Sequence, residues 1–98
     1  MILLSKDDIE KGLTSLYAWK YDNKSIRKTY SFNAYLDGIK FVNKIAEISE
    51  KNNHHPDIYV GWRKVTVTFT SHNLGGVTTK CVDLAISVEN LFRSIKDN

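Results

Sequence analysis

Residues 50–72, EKNNHHPDIYVGWRKVTVTFTSH, decide how the chain is read. Two adjacent histidines, His54 and His55, stand before Pro56, which pushes the backbone of His55 into extended geometry. A strand from about Asp57 to Trp62 and a second from Lys64 to Ser71 form a hairpin. In the second, Val65, Val67 and Phe69 face a core, while Thr66, Thr68, Thr70 and then His72 face away. A hairpin brings the end of its second strand back to the start of its first. His54, His55 and His72 can therefore share one cleft, and imidazoles are the side chains that titrate near neutral pH.

On the N-terminal side, Asn33 is placed as the cap of a helix reaching about Glu50. Tyr35, Ile39, Val42 and Ala46 share one face of it, and Phe41, Ile45 and Ile48 widen that face. So broad an apolar arc predicts a second buried contact, with another subunit. Gly38 in mid-helix costs about 1 kcal/mol relative to alanine, which points to close packing there. Before this helix, strands over Ala18–Tyr21 and Ser25–Phe32 turn at Asp22-Asn23. The second carries Ile26, Tyr30 and Phe32 on one face and Arg27, Thr29 and Ser31 on the other. A first helix, Lys6 to Leu16, starts at a Ser5 cap with Asp7 and Asp8 in its first turn.

Beyond His72, the loop Asn73-Leu74-Gly75-Gly76 leads to a last helix capped by Thr78 or Thr79. Its apolar face is Cys81, Ala85, Val88, Phe92 and Ile95. The order α-β-β-α-β-β-α predicts an α+β two-layer sandwich: a four-stranded antiparallel sheet with three helices on one face.

Ninety-eight residues, 42% of them hydrophobic, make one domain, residues 1–98, near the size at which burial becomes marginal. Cys81 is the single cysteine, which excludes an intrachain disulfide and fits a reducing compartment. Ser5-Lys6-Asp7-Asp8 follows Met1-Ile-Leu-Leu at once, so the start of the chain reads as neither signal peptide nor membrane span, and the cytoplasm is the expected location. The net charge of +3 comes from scattered lysines and arginines, so they are read as a solvated surface and nucleic-acid binding is not expected.

Three groups able to give or take a proton suit addition or removal of water, or proton movement on a polar heterocycle. Zinc is the competing reading, because three histidines can bind it. Adjacent residues of an extended segment point apart, however, and no carboxylate or cysteine stands at a familiar ligand spacing. Gly75-Gly76 is too short to read as a phosphate loop.

Glu50-x-x-x-His54-His55-Pro56, then Trp62, then Ser71-His72 with Gly75-Gly76, resembles the signature of the pterin-4a-carbinolamine dehydratases. Leu4 to Trp19 is similar to that family's N-terminal helix and the tryptophan after it, and Phe32 onwards to its long helix. The resemblance implies dehydration of a 4a-hydroxytetrahydropterin to quinonoid dihydropterin, which recycles the cofactor of aromatic amino acid hydroxylases. It implies His54 and His72 as general acid and base, His55 as a pterin-orienting residue and Glu50 as support for the histidine pair. Trp62, Ser71 and Cys81 complete the implied substrate-binding and supporting set. No metal or organic cofactor is implied; the partners are the pterin, further copies in a homodimer or homotetramer, and a hydroxylase of the same pathway.

The chain departs from the family pattern at two places. Cys81 stands nine residues beyond the third histidine, where the family usually has an aspartate, and Asp83 lies about 200° round the helix from that position by the 100° turn per residue. Ile58 stands where the family often has a tryptophan. Some relatives serve as dimerisation cofactors of a transcription factor or as assembly factors, so a non-catalytic interaction protein is the alternative on the same fold.

Overall fold

The periodicities translate into seven elements in the computed structural model, which describes residues 2–96. In chain order they are α1 (Lys6–Leu13), β1 (Lys20–Asp22), β2 (Ser25–Ser31), α2 (Tyr35–Asn52), β3 (Asp57–Val60), β4 (Lys64–Phe69) and α3 (Thr79–Lys96). The strands pair antiparallel in the order β1-β2-β4-β3, so the central pair joins the two hairpins. The helices cover one face, giving the α+β two-layer arrangement that the order of elements implies.

Alternation explains the core. Ile26 and Tyr30 of β2, with Val65, Val67 and Phe69 of β4, are buried, while Arg27, Thr29 and Ser31 are exposed. On the outer face Thr29 and Thr66 share a 2.9 Å hydrogen bond across the strands. Phe41 and Ile45 of α2 and Cys81, Ala85 and Val88 of α3 close over the inner face. Six aromatic rings, Trp19, Tyr30, Phe32, Phe41, Phe69 and Phe92, interlock there; Tyr30 lies 4.9 Å from Phe41 and 4.6 Å from Phe92 between centroids, within the range of favourable aromatic contact.

Several boundaries differ from the sequence-based expectation. Ser5 does cap α1, accepting from the Asp8 N–H at 3.1 Å, but the helix stops at Leu13 and not Leu16. There Thr14 Oγ1 donates to the Lys11 carbonyl. Ala18 has a positive φ of 63°, so β1 begins only after Trp19. The first hairpin turns on Asn23 and Lys24, both at positive φ, the geometry of a two-residue turn that matches strand twist. Asn33 does not cap α2: Ala34 occupies that position without a side-chain hydrogen bond.

The inward face of α2 is also rotated from the expected one. Gly38, Phe41, Ile45 and Ser49 are buried, whereas Tyr35, Leu36 and Ala46 are exposed and Ile39 and Val42 half-buried. A Cβ on Gly38 would lie 3.4 Å from Val65 Cγ2, so the helix runs close against β4 at that point.

Lys28 is the largest departure. It is on the inner face of β2 at 8% exposure, and its ammonium bonds Glu89 Oε1 at 2.8 Å. The same oxygen accepts from Tyr30 Oη at 2.7 Å and from Trp19 Nε1 at 3.3 Å. Burial alone would raise the Glu89 carboxyl, but the bonds from Lys28, Tyr30 and Trp19 hold it below the usual range. Burial, and then Glu89 itself, push the Tyr30 hydroxyl far above its ordinary value, which keeps it protonated as a donor.

Candidate functional site

Asn53 sets the geometry of the histidine pair. Its left-handed conformation, φ 49°, ends α2, with its own N–H donating to the Glu50 carbonyl and that of His54 to Ser49 at 3.1 Å. The reversal lets His55 reach back to Glu50, and His55 Nε2 bonds Glu50 Oε2. His54 turns the other way, inward. Its ring stacks on Phe69 with centroids 6.1 Å apart and planes 10° from parallel, and its Nε2 lies 3.3 Å from Cys81 Sγ.

The third histidine arrives from the end of β4. Ser71, buried, bonds Gly76 through its N–H at 2.7 Å, and its carbonyl accepts from Gly75 at 2.8 Å. Gly75 has φ 69°, a conformation glycine adopts without strain, and at Gly76 a Cβ would come within 2.8 Å of Leu3. This tight loop presents His72 to solvent, with its Nε2 3.8 Å from Asp57 Oδ2.

The two arrivals meet. His54, His55, Ser71 and His72 line one cleft of about 330 Å³, together with Asn53, Asn73 and Lys80. Burial lowers the pKa of His54, and the charges of Lys80, His72 and His55 push it the same way. His54 is therefore a neutral imidazole at pH 7, able to accept a proton.

Of the sequence-derived candidates, His54, His55, His72, Glu50, Ser71 and Cys81 stand in or against this cleft. Cys81 is wholly buried at the first turn of α3, and it also lies 3.6 Å from Thr78 Oγ1. Trp62 does not join them. It occupies the turn between β3 and β4 at 73% exposure, beneath the Arg63 guanidinium at 4.4 Å. Four paired residues, Asp57 to Val60 against Thr68 to Val65, separate that turn from the histidines. At about 3.3 Å per residue that is about 13 Å.

Asp57 and Lys80 were missed by sequence reasoning. Asp57 had a legible signal: it opens β3 opposite Thr68, so it sits beside the strand end that leads to His72. Lys80 had none beyond its adjacency to Cys81. Among the described residues, no three of His, Cys, Asp and Glu converge as a metal site.

The family profile described as Pterin 4 alpha carbinolamine dehydratase matches residues 2–91. A relative from Thermosynechococcus vestitus, provisionally named a pterin-4-alpha-carbinolamine dehydratase, is 41% identical over 90% of this chain and 93% of its own. One from Mycobacteroides abscessus with the same provisional name is 42% identical over 91% and 95%. The crystal structure of a transcriptional coactivator/pterin dehydratase from Brucella melitensis superposes with a TM-score of 0.88 at 23% identity, over 92% of this chain and 98% of that one. A pterin dehydratase-like RuBisCO assembly factor of the alpha-carboxysome reaches 0.62 at 23% identity, over 74% and 84%. These two likenesses speak to the fold.

Proposed function

Because the chain belongs to the pterin 4 alpha carbinolamine dehydratase family, we propose that it removes water from a 4a-hydroxytetrahydropterin to give quinonoid dihydropterin. The observation that supports this most directly is the convergence of three imidazoles on one cleft, with His54 neutral among them. Elimination needs one proton taken from a ring nitrogen and one delivered to the departing 4a-hydroxyl. His54 is the base: it is half-buried, stacked on Phe69, and discouraged from carrying charge. His72 is the acid, exposed to incoming substrate, with its Nε2 3.8 Å from Asp57 Oδ2. The C4a–O bond breaks as His72 protonates the leaving oxygen, and the nitrogen lone pair closes the new double bond, so one water leaves.

His55 and Glu50 orient the pterin. Their hydrogen bond fixes which ring nitrogen of His55 remains for the ligand. Cys81 and Ser71 support the walls of the cleft, and no metal or organic cofactor takes part. On this reading the protein works in the cytoplasm, as a homo-oligomer, beside an aromatic amino acid hydroxylase whose cofactor it recycles.

Turnover of a 4a-hydroxytetrahydropterin by the purified protein is the test. His54→Ala and His72→Ala should each slow it by about 10²–10⁴, the usual worth of one placed proton transfer. Wild-type turnover by the double variant would overturn the assignment. A wild-type protein with no turnover above the uncatalysed rate would point to the non-catalytic interaction role instead.

A further inference from the structure

A second cleft of about 440 Å³, sharing no lining residue with the histidine cleft, opens over the Lys28–Glu89 pair. Both charges form its floor, at 8% and 4% exposure. Stability alone gives no reason for them: desolvating each ion costs several kcal/mol, and a well-packed apolar pair is often as stable. Glu89 Oε1 is saturated by three donors, from Lys28, Tyr30 and Trp19. Lys28 is not saturated. Its ammonium has three N–H groups, and among the described residues one protein acceptor, Glu89.

The surroundings specify what could take the remaining donors. Arg93 Nε stands 3.7 Å from Glu89 Oε2, with its side chain mostly exposed, and Lys96 Nζ stands 5.7 Å from the Phe92 ring. Three cations against one carboxylate, +3 − 1, leave the cleft at +2. Three aromatic rings, Tyr17, Tyr30 and Phe92, line it beside Thr29 and Ser31. The Lys28 ammonium lies 4.6 Å from the Tyr30 ring, 5.2 Å from the Tyr17 ring and 6.0 Å from the Phe92 ring. Tyr17 is largely exposed and offers an uncovered ring at the rim.

We infer that this cleft is a second ligand site, taking a small anion that carries a flat aromatic group: the anion bonds Lys28, Arg93 and Lys96, and the ring packs on Tyr17 and Phe92. Phenyl phosphate is a direct probe, with inorganic phosphate as the ringless control. Trp19 Nε1–H, which donates to the same carboxylate oxygen as Lys28, is the reporter in a proton–nitrogen NMR titration. Phenyl phosphate should shift that signal saturably with Kd about 1 mM or below, at concentrations that leave the ring signals of His54 in place. The Arg93→Gln/Lys96→Gln variant should bind at least about tenfold more weakly, a difference of about 1.4 kcal/mol, with its urea-unfolding midpoint intact. Three results would each overturn the inference: no saturable shift, undiminished binding by the double variant, or a response centred on His54. Equal affinity for inorganic phosphate would overturn the assignment of an aromatic ligand.

Discussion

Replacing Cys81 by aspartate should convert His54 from a proton acceptor that resists charge into one that holds it. The Cys81 sulfur lies 3.3 Å from His54 Nε2 in a wholly buried position. A carboxylate oxygen at that distance, at an effective dielectric constant of about 20, attracts an imidazolium by about 5 kcal/mol gross. Loss of carboxylate hydration offsets part of this, and the expected net rise in the His54 pKa is about 1–3 units. The acidic limb of the rate profile should move to higher pH by the same amount, with the maximal rate changed by less than about tenfold, because His54 still loses its proton at alkaline pH.

The pH dependence of stability should weaken with it, and reverse sign once the rise exceeds the wild-type depression. In the wild type His54 has a depressed folded pKa, so its effect on stability is harmless above about pH 6.5 and destabilising as pH falls through the folded value. Where the Cys81→Asp folded pKa rises above the unfolded one, the sign is the opposite. In that case the added stability is fully present below about pH 6.5 and lost as pH rises through the new value. Carbon-edited NMR titration of the His54 ring reads the shift directly, and Cys81→Asn separates charge from shape. An unchanged His54 pKa, or an equal change in the asparagine variant, would refute the argument that this contact governs His54.

Lys80→Met should raise the His54 pKa towards its ordinary value, but by less than about 1 unit, because burial is the larger cause of the depression; an NMR titration with no upward movement would contradict it. Glu89→Leu leaves the Lys28 ammonium buried without its partner and should cost about 3–5 kcal/mol in urea unfolding, whereas Lys28→Met/Glu89→Leu should recover most of that loss; a single-variant cost below about 1 kcal/mol would mean the pair is effectively solvated. The exposed Tyr35 and Leu36 with half-buried Ile39 and Val42 on the outer side of α2 predict a homo-oligomer, and light scattering that finds a stable monomer at micromolar concentration would refute it.

The order of elements, the hairpin and the meeting of the three histidines were legible in the sequence because each rests on local rules. Alternation in Val65, Val67 and Phe69 announces which face of β4 is buried, and a hairpin necessarily returns His72 towards His54 and His55. The burial of Cys81 likewise followed from its place on a helical wheel. What periodicity omits is the identity of the neighbour. Lys28 alternates in phase with Ile26 and Tyr30, yet only a glutamate 61 residues away on α3 makes a lysine tolerable on that face. Trp62 lies inside the most informative stretch but at the turn, and strand length alone carries it away from the cleft. The inward face of α2 was misplaced for the same reason: Tyr35 and Ala46, expected on it, are exposed. Apolar residues cover so much of that helix that its own sequence admits several inward faces, and packing of Gly38 against Val65 selects one. Local covalent and steric rules determine the elements; which side chains then neutralise one another across the core depends on contacts between residues far apart in the chain, and those the tertiary structure alone decided.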